Sequence, residues 1–137
     1  MSKTVEYFLS PQSPWCYLGH QRLVDLVRDT GAQAELKPFD LGKVFSVSGG
    51  LPLAKRAPQR QSYRLVELER WAKHLGLPLY PQPKFFPVSP DAAARLLIAA
   101  RTSLGADAAL ELAGAIMRAL WAEEKNIADD DTLAQVA

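Results

Sequence analysis

The sequence predicts an α/β fold that opens as a β-α-β unit and continues as an all-helical stretch grown from it. Three observations carry that expectation. Apolar, strand-like runs at Thr4 to Leu9 and Ala34 to Phe39 flank an amphipathic run, Tyr17 to Asp29, with the period of a helix. Beyond Leu41 the strand signals stop and runs with helical periodicity take over. The chain has 137 residues, 48% hydrophobic and 23% charged, which is enough for one good core of ordinary globular composition.

In the first strand Val5, Tyr7 and Leu9 alternate with Glu6 and Phe8, so the element is short and mostly buried. Ser13 is placed as a helix N-cap, with Pro14 at the first helical position, where a missing N–H costs nothing. The helix carries Leu18, Leu23, Leu26 and Val27 on one side and Arg22, Asp25 and Arg28 on the other. Gly31 is placed for a left-handed C-cap. The second strand is expected parallel to the first through a right-handed crossover.

From Leu41 to Pro58, Ser46, Ser48, Gly49 and Gly50 indicate a loop with one short helical turn near Lys43. A helix is expected from Gln59 to Leu75, with Tyr63, Val66, Leu68, Trp71 and Leu75 set against Arg60, Arg64, Glu67, Arg70 and Lys73, and Gly76 ending it. Trp71, like Trp121 further on, stands at core spacing. Leu77 to Pro87 holds four prolines and is irregular. Ser89-Pro90-Asp91 starts a helix through Leu96, Leu97 and Ile98 to about Ser103. Asp107 opens another, carrying Leu110, Leu112, Ile116, Leu120 and Trp121, and Asp130-Asp131-Thr132 opens a last one. The expected units are 1–41, 42–125 and 126–137. Two strands leave sheet edges open, so the chain is expected to stop short of further C-terminal strands.

Several function classes lose support at once. A net charge of +1 gives no electrostatic case for nucleic acid. Cys16 is the single cysteine, so no internal disulfide forms. No run is long enough to span a membrane, and no signal peptide is evident, so the expected location is cytoplasmic. His20 and His74 lie apart from any Cys or acidic ligand pattern, and no metal is expected.

The chemistry centres on the junction between the first strand and the first helix. A helix N-terminus presents free N–H groups and the positive end of the dipole, which suits an anion such as a thiolate. Ser13 lacks a placed base, so it is a poor nucleophile and a better hydrogen-bond donor. Donors of this kind favour the charged form and draw a thiol pKa down from about 8.5. From spacing alone, a helix cap worth roughly 1 kcal/mol accounts for Ser13 equally simply. Cys16, one turn deeper, reads as a small buried hydrophobe; as a redox thiol it would lack a resolving partner.

The motif Ser13-Pro14-Trp15-Cys16-Tyr17-Leu18-Gly19-His20 resembles a dithiol Cys-x-x-Cys whose first cysteine has become serine. It is similar to the start of the thioredoxin-like family of DsbA-type oxidoreductases. Within it, the resemblance is to the glutathione-dependent branch of 2-hydroxychromene-2-carboxylate isomerases and kappa-class glutathione transferases. Leu65-Val66-Glu67-Leu68-Glu69-Arg70-Trp71 and Asn126-Ile127-Ala128-Asp129 resemble later parts of that family. The resemblance implies a thioredoxin-like fold, a homodimer, and Ser13 as the group holding the glutathione sulfur. With Ser13, it implies glutathione contacts from Pro14, Trp15 and Lys55. The family's asparagine in that loop has no counterpart, since Ala54 falls at its position. For a small aromatic carboxylate substrate, Trp15 and Tyr17 form a wall and Arg60 an anion contact, Arg60 belonging to the basic group Lys55, Arg56, Arg60 and Arg64. A solvated face accounts for that basic group about equally well. Two rivals stay open: a DsbA-like thiol-disulfide oxidoreductase working through Cys16, and a kappa-like glutathione transferase. A non-catalytic binding module would have no use for Ser13.

Overall fold

The computed structural model describes residues 3–137. Strand β1 (Thr4–Leu9) pairs in parallel with β2 (Gln33–Pro38), in a register that sets Thr4 opposite Gln33 and Leu9 opposite Pro38. Helix α1 (Pro14–Thr30) makes the crossover, as the sequence leads one to expect. Gly31, at φ 65°, closes it in the left-handed conformation that only glycine adopts without cost.

Five more helices follow among the described residues: α2 (Leu41–Ser48), α3 (Pro58–Leu75), α4 (Asp91–Leu104), α5 (Ala106–Trp121) and α6 (Asp130–Val136). The expectation of a loop with a single turn after Leu41 needs correction. Asp40 caps α2 by accepting the Lys43 N–H at 3.1 Å, and Gly49 ends it at φ 73°. One well-placed cap is enough to organise a segment whose composition suggests a loop. A 3-10 turn (Leu53–Lys55) then leads into α3.

The core joins Leu9 and Leu36 of the sheet to Leu97 of α4 and to Ile116, Met117 and Leu120 of α5. Small side chains let α5 approach closely: Ala109 and Ala113 are fully buried, and Gly114 lies against the ring of His20. Arg101 of α4 donates to the Leu36 carbonyl at 2.6 Å, tying that helix to β2. Trp121 is fully buried, as expected, but Trp71 is 44% exposed. The buried stripe of α3 runs through Arg64, Leu68 and Ala72 instead, which turns Tyr63, Val66 and Trp71 outward.

Candidate active site

A cavity of about 260 Å³ opens at the N-terminus of α1. Ser13 sits there in extended backbone geometry, and its Oγ accepts the Cys16 N–H at 3.2 Å. That bond uses a lone pair, so the hydroxyl hydrogen is left to donate. The neighbouring amides are mostly committed. Ser13 N–H donates to the Ser10 carbonyl at 2.9 Å, and Tyr17 N–H donates to the Ser13 carbonyl at 3.1 Å. Pro14 has no N–H to offer. The Trp15 N–H is therefore the first-turn donor that lacks a partner among the described residues. A hydroxyl and an amide, both at the positive end of a 17-residue helix, can stabilise one anion.

The rest of the cavity comes from segments far along the chain. Phe45 enters from α2, Phe86 from the irregular segment before α4, and Arg56 from the turn before α3. The Phe86-Pro87 peptide bond is cis, and both residues line the opening. Arg56 Nε donates to the Leu51 carbonyl at 2.9 Å, and its guanidinium lies 5.8 Å from the Phe45 ring centre. Arg64 reaches in from α3 although it is only 8% exposed. Burial, with the charge of Arg56 adding to it, lowers its pKa.

Of the residues expected at the site, Ser13, Pro14 and Trp15 are brought together on the cavity wall. Three others are placed elsewhere. Tyr17 is buried and donates its hydroxyl to the Pro78 carbonyl at 2.6 Å, so its ring serves packing, not a substrate wall. Burial raises its pKa, with Arg118 opposing and Glu123 adding to the shift. Lys55 ends the 3-10 turn and is exposed; it does not line the cavity, although its neighbours Leu53 and Arg56 do. Arg60 is exposed on the first turn of α3 and lines a neighbouring depression beside Val44 and Ser48.

What the sequence did not single out individually is Arg64. Its signal was spacing: it stands four residues before Leu68 and eight before Ala72, on the buried stripe of α3.

Behind the cap, Cys16 is half-buried against the core. Tyr7 O–H donates to His20 Nδ1 at 3.2 Å, and His20 Nε2 lies 3.0 Å from the Leu110 carbonyl. A carbonyl can only accept, so Nε2 carries the proton and Nδ1 accepts. Burial pushes the Tyr7 phenol far above its ordinary value, with Cys16 adding to it, and burial holds His20 below 6.5 against the Leu110 bond. Every polar atom of this chain of bonds is satisfied within the protein, so it fixes α1 against α5 and β1.

The fold has known counterparts. Residues 4–137 match the DSBA-like thioredoxin domain family. A 2-hydroxychromene-2-carboxylate isomerase of Sphingobium xenophagum is 31% identical over 80 residues, which are 58% of this chain and 41% of that protein. A solved 2-hydroxychromene-2-carboxylate isomerase superposes with a TM-score of 0.75 at 26% identity, over 97% of this chain and 63% of its own. The cytosolic disulfide reductase DsbM of Pseudomonas aeruginosa, solved with GSH, superposes with a TM-score of 0.64 at 22% identity, over 97% of this chain and 62% of its own. The chain thus spans less than two thirds of the length of each of these relatives. A match over nearly its whole length, on a parallel β-α-β start with a capped Ser-Pro-Trp-Cys turn, makes this chain a member of the DSBA-like thioredoxin domain family.

Proposed function

We propose that the chain carries the thiolate-holding part of a glutathione-dependent isomerase that acts on a small aromatic carboxylate of the 2-hydroxychromene-2-carboxylate type. The observation that carries this reading is the pair of uncommitted donors, Ser13 O–H and Trp15 N–H, opening on a cavity with aromatic walls. The names of the similar isomerases and the GSH in the DsbM structure support it.

Bound glutathione would supply a thiolate that adds reversibly to a conjugated substrate and is returned unchanged, so the isomerisation involves no net redox change. Ser13 and Trp15 would hold that sulfur and favour its charged form. Pro14, buried at the first helical position, fixes the approach angle of the helix toward it. Lys55 and Arg60, both exposed, would act as outer contacts for the ligands' carboxylates. The compartment proposed is the cytosol and the assembly a homodimer.

Calorimetry with glutathione tests this, comparing wild type with Ser13→Ala at pH 7 and pH 9. Wild type is expected to bind with proton release near neutrality, and the alanine variant to lose that release. Absence of binding in both proteins overturns the reading. The rival, a thiol-disulfide oxidoreductase working through Cys16, predicts reduction of insulin disulfides that Cys16→Ser abolishes and Ser13→Ala spares.

A further inference from the structure

We propose that Arg64 is an anion-holding residue of the Ser13 cavity, and that it receives the carboxylate of a flat aromatic acid. This deepens the isomerase reading and rests on it for the identity of the site. Arg64 is more than nine-tenths buried, yet among the described residues it makes no salt bridge and no hydrogen bond. A buried cation is ordinarily paired, because leaving water without a counter-charge is expensive. The closest compensation Arg64 has is from two aromatic rings. Its guanidinium carbon lies 5.2 Å from the ring centre of Phe86 and 5.9 Å from that of Trp121.

Ring contacts of this kind attract the cation to the ring face but supply no hydrogen-bond acceptor for its N–H groups. The N–H donors lie in the guanidinium plane and point outward at the edge, in the fork geometry that matches a carboxylate. The one charged neighbour on the same cavity wall is Arg56, which has the same sign and increases the demand for an anion. The pKa lowering at Arg64 agrees with a cation that is desolvated and still without a counter-ion.

The cavity consequently has two poles. Ser13 and the Trp15 N–H form one, suited to a soft anion such as a thiolate. Arg64 forms the other, suited to a planar oxyanion, and Phe45 and Phe86 supply apolar surface on the same wall. A ligand that satisfies the second pole has an aromatic body and a carboxylate at its edge. Trp121 joins the arrangement from the core side: its ring is fully buried, so the guanidinium rests on a surface packed into the core.

The test is isothermal titration of the chain, without glutathione, with 2-naphthoate and with its neutral analogue 2-naphthamide. Wild type, Arg64→Met, Arg64→Lys and Arg95→Met are compared, Arg95 being an exposed residue of α4. Wild type is expected to bind the acid at least tenfold more tightly than the amide. Arg64→Met should erase that preference, Arg64→Lys should keep part of it, and Arg95→Met should keep all of it. An undiminished preference in Arg64→Met, or no preference in wild type, overturns the proposal. If Arg64→Met fails to fold by circular dichroism, the Arg64 Nε–H resonance of wild type decides. A shift with naphthoate and none with naphthamide supports the proposal, and identical behaviour overturns it. Because glutathione is left out, a failure of the Ser13 reading would leave the naphthoate preference intact, and the two failures are told apart.

Discussion

Helix α5 buries eight of its sixteen residues, whereas α2 buries none of its eight. Both stand near functional surface, yet they are held by different physics. α5 is positioned by apolar contact along most of its length, from Ala109 to Trp121. α2 depends on local polar bonds: the Asp40 side chain on the Lys43 N–H, and Ser46 Oγ on the Lys43 carbonyl at 2.7 Å. Val44 and Val47 on α2 are 40% and 86% exposed. The cavity therefore has a rigid side, built on the core through Trp121 and Arg64, and a side free to adjust, built on α2. A site of this kind can hold its reacting groups steady while Phe45 accommodates ligands of different outline.

The contrast can be broken most severely in α5. Ile116→Ala removes a fully buried side chain and should cost about 2–5 kcal/mol in chemical denaturation. A cost below 1 kcal/mol would mean that α5 is not the rigid element. Gly114→Ala comes next. Alanine gains about 1 kcal/mol of helix propensity, but its Cβ would stand 3.1 Å from two atoms of the His20 ring. That ring is held by two hydrogen bonds, which a shift would strain, so the overpacking cost of roughly 1–3 kcal/mol should prevail. A more stable variant would show that α1 and α5 are less tightly seated than described.

Smaller effects sharpen the same comparison. His20 is held below its ordinary value by burial, so the unfolded chain takes up the proton more readily than the fold. Stability should be fully present above the unfolded-state value of 6.5 and fall as acidification carries the pH below it. His20→Gln should flatten that part of the profile of unfolding free energy against pH. On the other side, Asp40→Ala removes a cap worth about 1 kcal/mol. It should appear as faster amide exchange confined to α2, with the exchange of α5 unchanged. Val47→Ser, at an 86% exposed position, should stay within about 0.5 kcal/mol of wild type.

How much of this was legible in the chain depended on whether the signal was local. Ser13, Pro14 and Gly31 set the ends of α1 through caps that act within a few residues, and both strands announced themselves by alternation. The burial expected of the first strand does not hold: in β1 only Leu9 is buried, and Val5 and Phe8 are exposed. The Asp91 and Asp130 helix starts are likewise local. α2 was underestimated because glycines and serines mask a helix that one aspartate organises. The inward face of α3 was misread for a different reason. An arginine on a stripe with Leu68 and Ala72 looks like a solvent-facing residue, and Trp71 looks like core. Only the tertiary arrival of Phe86 and Trp121 around Arg64 reverses that. Lys55 and Arg60 drew attention as members of a basic cluster, but the 3-10 turn and the start of α3 direct them outward, and Arg56 and Arg64 inward. Tyr17 follows the cap closely enough in sequence to suggest a place in the site, but two positions beyond Trp15 the helix already faces the core.

The bond from Arg101 to the Leu36 carbonyl has a further consequence for how the sheet can grow. A strand edge recruits other strands through its unpaired carbonyls and amides, which is how edge-to-edge association begins. Arg101 occupies one of those acceptors in the middle of β2 with a charged group, and adding a strand there would forfeit a short, charge-assisted bond. The two edges of this small sheet are therefore unequal. Extension is directed to the β1 side, and the molecule carries a built-in sense of which way its sheet opens.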